Sequence, residues 1–239
     1  MLETEKRISV FKVKEIWFAD HLFDVKGCHS VTFTLHNKDS MVDGFKHWEV
    51  KTLVIDLTQD LDQIWGGFSK KSCRYQIHRA ERDGVKVGKS DDYDGFNKLN
   101  HAFRNMKGIA ITVDDDYIRN YGTLFMATID GAVVAGQIYI EDKDNIRWLL
   151  GASKRLEDSN PLIGCANRAL IWEAIRYAKQ KGIQEFDFGG YYTGRAIPTV
   201  SAVNFFKESF GGVVVTRHVY NKNYSWLYSF AQHGYARMH

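Results

Sequence analysis

Gly182-Ile183-Gln184-Glu185-Phe186-Asp187-Phe188-Gly189-Gly190-Tyr191-Tyr192 decides how this chain reads. Alternating apolar residues make a short strand, and Asp187 stands near its end. A helical run, Cys165 to Lys181, precedes it, and a second, Thr199 to Ser209, follows. An acidic side chain at the C-terminal end of a strand between two helices marks the usual ligand position of open α/β proteins. The adjoining glycines permit backbone that other residues avoid. The stretch says "site" without naming a chemistry.

Working upstream, Asn160-Pro161 is a helix start, a capping side chain followed by proline at the first helical position. The helix over 161–181 is apolar on most faces until Arg176, which predicts burial against a sheet. Before it come three strands, Leu124 to Ile129, Val133 to Glu141 and Ile146 to Leu150. Asp130-Gly131 forms a hairpin turn between the first two. Further back, Asp114 to Tyr121 is a short helix. Asp91 to Lys107 is a longer one, with Tyr93, Phe96, Leu99, Phe103 and Met106 on one side. Val85 to Val87 is a short strand. Lys70 to Asp83 is a polar helix with Ile77 and Ala80 inward, and Leu61, Ile64, Trp65 and Phe68 recur at the spacing of one helix face. Trp48 to Leu57 is a strand, and residues 8–18 and 29–37 alternate weakly enough to be strands too. Downstream, Val213 to Val219 closes a β-α-β-like end. The expected fold is α/β, a mixed sheet with helices on both faces. Residues 48–239 make its main domain, and residues 1–47 are N-terminal strands or a remnant half-domain packed on it.

Composition narrows the function classes. The 239 residues carry a formal charge of only +3, too little to argue for nucleic acid. The three cysteines, Cys28, Cys73 and Cys165, are an odd set, widely spaced and with no CxxC pair, which argues against a disulfide framework and a cysteine zinc site. Histidines show no metal-ligand spacing, so no metal is expected. No run reaches 18 apolar residues and the first residues lack a signal-like core. A cytoplasmic monomer or homodimer is the simplest expectation.

Thr52-Leu53-Val54-Ile55-Asp56-Leu57, Asp62-Gln63-Ile64-Trp65 and Arg74-Tyr75-Gln76-Ile77-His78-Arg79-Ala80-Glu81-Arg82-Asp83-Gly84-Val85 look like the opening of a Fem-type transferase. Trp148-Leu149-Leu150-Gly151-Ala152-Ser153, Trp172 to Lys179, Phe186 to Gly190 and Asn204-Phe205-Phe206-Lys207-Glu208-Ser209-Phe210-Gly211-Gly212 look like its second half. Together these resemble the Fem-like branch of the GNAT N-acyltransferase superfamily, over roughly residues 50–215. The resemblance implies the GNAT fold and transfer of an acyl or aminoacyl group to an amine. The large members draw amino acids from charged tRNA and use two GNAT-like units. This chain is too short for two full units and has no heptad-rich insertion. It therefore looks like the small coenzyme A-dependent sugar N-acyltransferases, with a coenzyme A thioester as donor and an amino sugar, free or nucleotide-linked, as acceptor. A tRNA-dependent aminoacyl transferase acting on a cell-wall or peptide acceptor is the enzyme alternative. The usual GNAT pyrophosphate loop is not present in clear form, which keeps a non-catalytic binding scaffold open.

The helix start near 160–168 is the candidate donor site, because first-turn N–H groups and the helix dipole favour an anion. Gly164 would admit phosphates closely, and Asn167 and Arg168 would add hydrogen bonds. Lys154 and Arg155, just upstream, are phosphate contacts or solvent-facing charges. Amide formation needs a neutral amine, a proton acceptor and donors for the developing oxyanion. Asp187 is the candidate proton acceptor, although a carboxylate of ordinary pKa, about 3.9, is a poor base. Its other reading is a cap on the Gly189-Gly190 turn. Tyr191 and Tyr192 either line the acceptor's path and protonate the leaving group, or simply pack. Lys207 and Arg195 are candidates for an acceptor phosphate or carboxylate, with Trp148 beside them. Cys165 reads as core, His78 as a solvated helix face and Asp114-Asp115-Asp116 as a helix cap.

Overall fold

A computed structural model describes residues 1–39, 43–110, 113–154, 161–194 and 198–235. The chain groups into two compact units, residues 1–51 with 215–239, and residues 52–214. The boundaries fall inside β4 (Lys46–Asp56) and β10 (Val213–Asn223).

In the first unit β1 (Leu2–Ile8) and β2 (Phe11–Ala19) form an antiparallel hairpin, β2 runs parallel to β3 (Ser30–Leu35), and β3 pairs antiparallel with β10. The strand expected over 8–18 is β2, and β1 before it was not anticipated; Ser9, in the left-handed region at φ 57°, turns the chain between them. Ile16, Val31, Phe33, Leu35 and Tyr220 form this unit's core, with Phe23 and Phe45 edge-on to Phe33. Helix α7 (Trp226–Tyr235), not anticipated from sequence, ends the described chain.

The second unit is built on a sheet in which β9 (Glu185–Gly190) lies between β4, antiparallel, and β8 (Asn145–Ser153), parallel. From β8 the sheet continues antiparallel through β7 (Ala132–Glu141), β6 (Thr123–Ile129) and β5 (Lys86–Lys89). Along β6, Phe125 and Ala127 join one core and Leu124 and Met126 the other, the period-two alternation of a sheet buried on both faces. Helices α1 (Leu61–Gly67), α2 (Tyr75–Arg82) and α5 (Leu162–Gln180) pack on the first face. Helices α3 (Tyr93–Lys107) and α4 (Asp115–Tyr121) pack on the second. This is the mixed α/β architecture that the sequence predicts.

Local chemistry explains most boundaries. Asp60 caps α1 through a reciprocal capping box with Gln63, and Asp114 caps α4 by accepting from the Tyr117 N–H. Asp130 and Gly131 adopt φ of 50° and 80°, the pair of positive values a tight hairpin needs. The polar helix expected from Lys70 opens instead as one π-helical turn, Lys70–Arg74, which buries Cys73 before α2 begins. Met106, expected on the same side of α3 as Phe96 and Leu99, is 45% exposed. Helix α5 begins at Leu162, with Pro161 at the capping position, one residue later than expected; Asn160 lies outside the described residues. Its Ile163, Ala166, Leu170, Ile171, Ala174, Ile175 and Ala178 are all fully buried. Each such branched aliphatic side chain stabilises the fold by about 1.5–3 kcal/mol.

Candidate active site

Strands β8 and β9 pair over only three residues, ending at Arg147 opposite Asp187, and beyond that point they are no longer paired. Two features open the fork. A bulge in β8 places Leu149 as an extra residue between Trp148 and Leu150, and Gly189 takes the left-handed region at φ 73°. A Cβ on Gly189 would sit 3.1 Å from the Trp148 carbonyl, so glycine is required on both counts.

The crotch of the fork is an ion pair, with Arg147 Nη1 2.5 Å from Asp187 Oδ2. Asp187 is 2% exposed. Its Oδ1 accepts from the Gly189 N–H at 2.6 Å. The Thr52 hydroxyl on β4 lies between that carboxylate and the Gly189 carbonyl, 2.7 Å away, and gives its single proton to one of them at a time. From sequence Asp187 is expected either as a proton acceptor or as a cap on the Gly189-Gly190 turn; in the structure its carboxylate meets the Arg147 guanidinium and the Gly189 N–H.

Lys207, on α6 (Pro198–Glu208), reaches into the same place. It is 5% exposed, and Nζ donates to the Gly190 carbonyl at 2.6 Å. The ammonium lies 5.9 Å from the centroid of the Trp148 ring. Burial and the nearby Arg147 charge lower its pKa to about 8, against the opposing pull of Asp187. Arg147, Lys207 and Asp187 together leave one positive charge in the fork.

Above the fork opens a cleft of about 390 Å³. Trp148, Gly151, Ala152 and Ser153 of β8, Gly164, Asn167 and Arg168 of α5, Ala202, Val203 and Phe206 of α6, and Phe103 and Lys107 of α3 form its walls. Arg168 stacks on Phe206, guanidinium carbon to ring centroid 4.7 Å, and donates to the Gln76 side chain at 3.0 Å. A Cβ built on Gly164 would meet nothing within 4 Å. Gln137 Nε2 donates to the Asn167 carbonyl at 3.1 Å and fixes α5 against β7.

Of the residues singled out from sequence, Trp148, Gly164, Asn167 and Arg168 therefore share one cavity, and Lys207 stands next to one of its walls, 5.9 Å from the Trp148 ring. Asn167 spends its side-chain N–H on the Ile163 carbonyl of its own helix, at 3.0 Å. Lys154 lines a different recess, with Gly95, Lys98 and Leu99, and does not join the helix start. Tyr191 and Tyr192 do not wall the cleft. The Tyr191 hydroxyl donates to Glu208, and Tyr192, 43% exposed, is held by its backbone to the Asn204 amide. Arg155 and Arg195 lie outside the described residues. Sequence reading missed Arg147, Thr52, Phe103 and Lys107. Only their spatial neighbours mark them, and no spacing rule brings Arg147 to a carboxylate 40 residues away.

Among the described residues no helix is long and apolar enough to cross a membrane. No curated protein matches the sequence. The structure is similar to that of FemX, with 14% identity and a TM-score of 0.63 over 90% of this chain and 83% of that one. It is also similar to L-PGS from Bacillus licheniformis (14% identity, TM-score 0.57, 84% of this chain and 70% of that one). A third relative in fold is the C-terminal domain of a putative lysylphosphatidylglycerol synthetase from Agrobacterium fabrum (14%, 0.56, 81% and 68%). At such identities the likeness is one of fold. A family model described as acetyltransferase (GNAT) domain matches residues 69–195, more than half of the chain and the stretch that holds β8, α5 and β9. The forked strands thus belong to an acyltransferase fold, and this chain is a member of the GNAT acetyltransferase family.

Proposed function

We propose that this chain moves an aminoacyl group from its ester on a charged tRNA to an amine of a cell-wall or peptide acceptor. The observation that carries acyl transfer is the buried Lys207 ammonium at the fork, beside the aromatic cleft. An acyl carbonyl seated where β8 and β9 part would develop negative charge close to a preorganised cation. The neutral amine attacks the carbonyl carbon, a C–N bond forms and the ester C–O bond breaks. Lys207 gives a proton to the departing oxygen and regains one from the new amide nitrogen. A pKa of about 8 suits both halves of that exchange. Arg147, fixed by Asp187, keeps the fork positive, and Asp187 holds Gly189 in the turn that leaves the cleft open.

The fold likeness to FemX and to the lysylphosphatidylglycerol synthetases supports an aminoacyl donor, since the latter name itself couples a lysyl group to a lipid. Trp148, Phe206 and Phe103, with Arg168 and Lys107, offer faces and charge to a terminal adenosine and its phosphate. A coenzyme A thioester with an amino-sugar acceptor is the second reading. It is favoured by the family description and by the open backbone at Gly164, where a pyrophosphate would meet the α5 N-terminus.

Supplying tRNA charged with a labelled amino acid, or labelled acetyl-coenzyme A, together with peptide and nucleotide-linked amino-sugar acceptors tests both. The proposal expects alkali-stable label on a peptide acceptor from charged tRNA only. Label moving only from coenzyme A to an amino sugar would replace it with the second reading.

A further inference from the structure

Away from the cleft, in the unit formed by residues 1–51 and 215–239, three side chains converge that the sequence reading did not connect. His47 and Glu49 are two apart on β4 and so project from the same face of the strand. His218 stands on β10, 171 residues further along the chain than His47. His47 Nε2 and His218 Nδ1 are 3.1 Å apart, and Glu49 Oε1 is 3.8 Å from His218 Nδ1. All three donor atoms lie within 4.8 Å of one another.

We infer that His47, Glu49 and His218 form a binding site for a divalent transition-metal ion of the zinc type. Two ligands about 2.0–2.1 Å from a tetrahedral zinc ion are roughly 3.3 Å apart, close to the separation of the two imidazole nitrogens here. Two imidazoles and one carboxylate are donors that zinc accepts and that calcium or magnesium, which take oxygen, do not favour. The imidazoles are held before any ion arrives. The His47 ring stacks on His218 at 5.4 Å between centroids and on Tyr220 at 4.5 Å. His218 has a side chain only 13% exposed, whereas Glu49, 54% exposed, has room to swing the short distance to the ion. Three protein ligands leave a fourth position for water or for a group on another molecule. The ion would tie β4 to β10 at this end of the unit. The expectation of no metal came from spacings within single segments, where a pair so distant in sequence is invisible.

Titrating zinc chloride into the metal-free chain by calorimetry tests the site. One ion is expected per chain, and cobalt in its place should give the visible absorption bands of a tetrahedral site. Because partners one shell further out typically change metal affinity 10–100-fold, losing a ligand should cost at least as much. His47→Ala should therefore weaken zinc binding about a hundredfold and Glu49→Gln at least tenfold. His78→Ala, on the exposed face of α2, should change nothing. Both test positions are exposed in the fold, so the variants should stay folded, with circular dichroism as the check. Absence of zinc binding, or an affinity unchanged in both Glu49→Gln and His47→Ala, would overturn the assignment.

Discussion

Arg147 and Asp187 are the last paired residues of β8 and β9, and their side chains close an ion pair at 2.5 Å where the two strands part. The same carboxylate fixes the Gly189 turn, so one contact sets both the depth and the width of the fork. Asp187→Asn should therefore act on stability as well as on rate. It leaves the Arg147 charge buried beside a neutral amide, a change that costs about 3 kcal/mol in such settings. For a chain of this size that lowers Tm by roughly 6–12 °C. A thermal melt showing an unchanged Tm would mean that the pair contributes little and would restore Asp187 as a candidate for the chemical step.

Lys207 gives the account a pH signature. Its folded pKa, about 8, lies below the ordinary lysine value of 10.5, so folding disfavours its charged form. Between those two pH values the unfolded chain holds more protons at this site than the folded one, and stability contributed here rises with pH. Relative to Lys207→Met, the wild type should gain stability from pH 8 to pH 10.5 in denaturant titrations. Activity should move the other way, falling as pH rises through about 8 because the ammonium is the proton donor. Lys207→Met should lower kcat by roughly 10²-fold or more and abolish that falling limb. A variant that keeps both its kcat and its limb would remove Lys207 from the mechanism.

Gly164 separates fold from ligand. Nothing stands within 4 Å of a Cβ there, and alanine in a helix is favoured over glycine by about 1 kcal/mol. Gly164→Ala should raise Tm by a few degrees. The larger Gly164→Val should weaken donor binding at least tenfold in an equilibrium titration, since its methyl groups enter the cleft. Unchanged donor affinity in folded Gly164→Val would show that the donor does not run past the start of α5.

Gly189→Ala is expected to be more damaging than its size suggests. The new methyl group would press on the Trp148 carbonyl at 3.1 Å in a backbone region that costs a residue with a Cβ about 1–2 kcal/mol. Both effects narrow the fork, so Tm and donor affinity should fall together. Loss of stability without loss of affinity would place the donor away from the β8–β9 fork.

Much of this was legible in the sequence where the determinants are local. Asp114 and Asp130-Gly131 announce a cap and a turn through chemistry spanning two to four residues. The apolar run of α5 announces its burial on the sheet. Asp187 close to two glycines pointed to the end of β9, while Trp148, singled out for the acceptor, and Gly164 and Arg168, singled out for the donor, line one cavity. What escaped depends on pairing across the fold. Arg147 reads as an exposed charge until β8 is set parallel to β9. Tyr191 and Tyr192 sit beside the site in sequence, yet Glu208 and Asn204 draw them towards α6. The hairpin of β1 and β2 was hidden because β1 is apolar only at Leu2 and Ile8 and so shows no alternation, and its turn is carried by one serine at positive φ.

The central claim, that the cleft over the fork receives the aminoacyl end of a tRNA, is tested most directly with a small stable mimic. An aminoacylated adenosine whose ester is replaced by an amide can be titrated calorimetrically into the wild type, Gly164→Val and Phe206→Ala, beside coenzyme A as competitor. The account predicts one saturable site in the wild type, affinity weakened at least tenfold in both variants, and no displacement by coenzyme A at equal concentration. Binding of coenzyme A alone, or mimic binding indifferent to both substitutions, would contradict it.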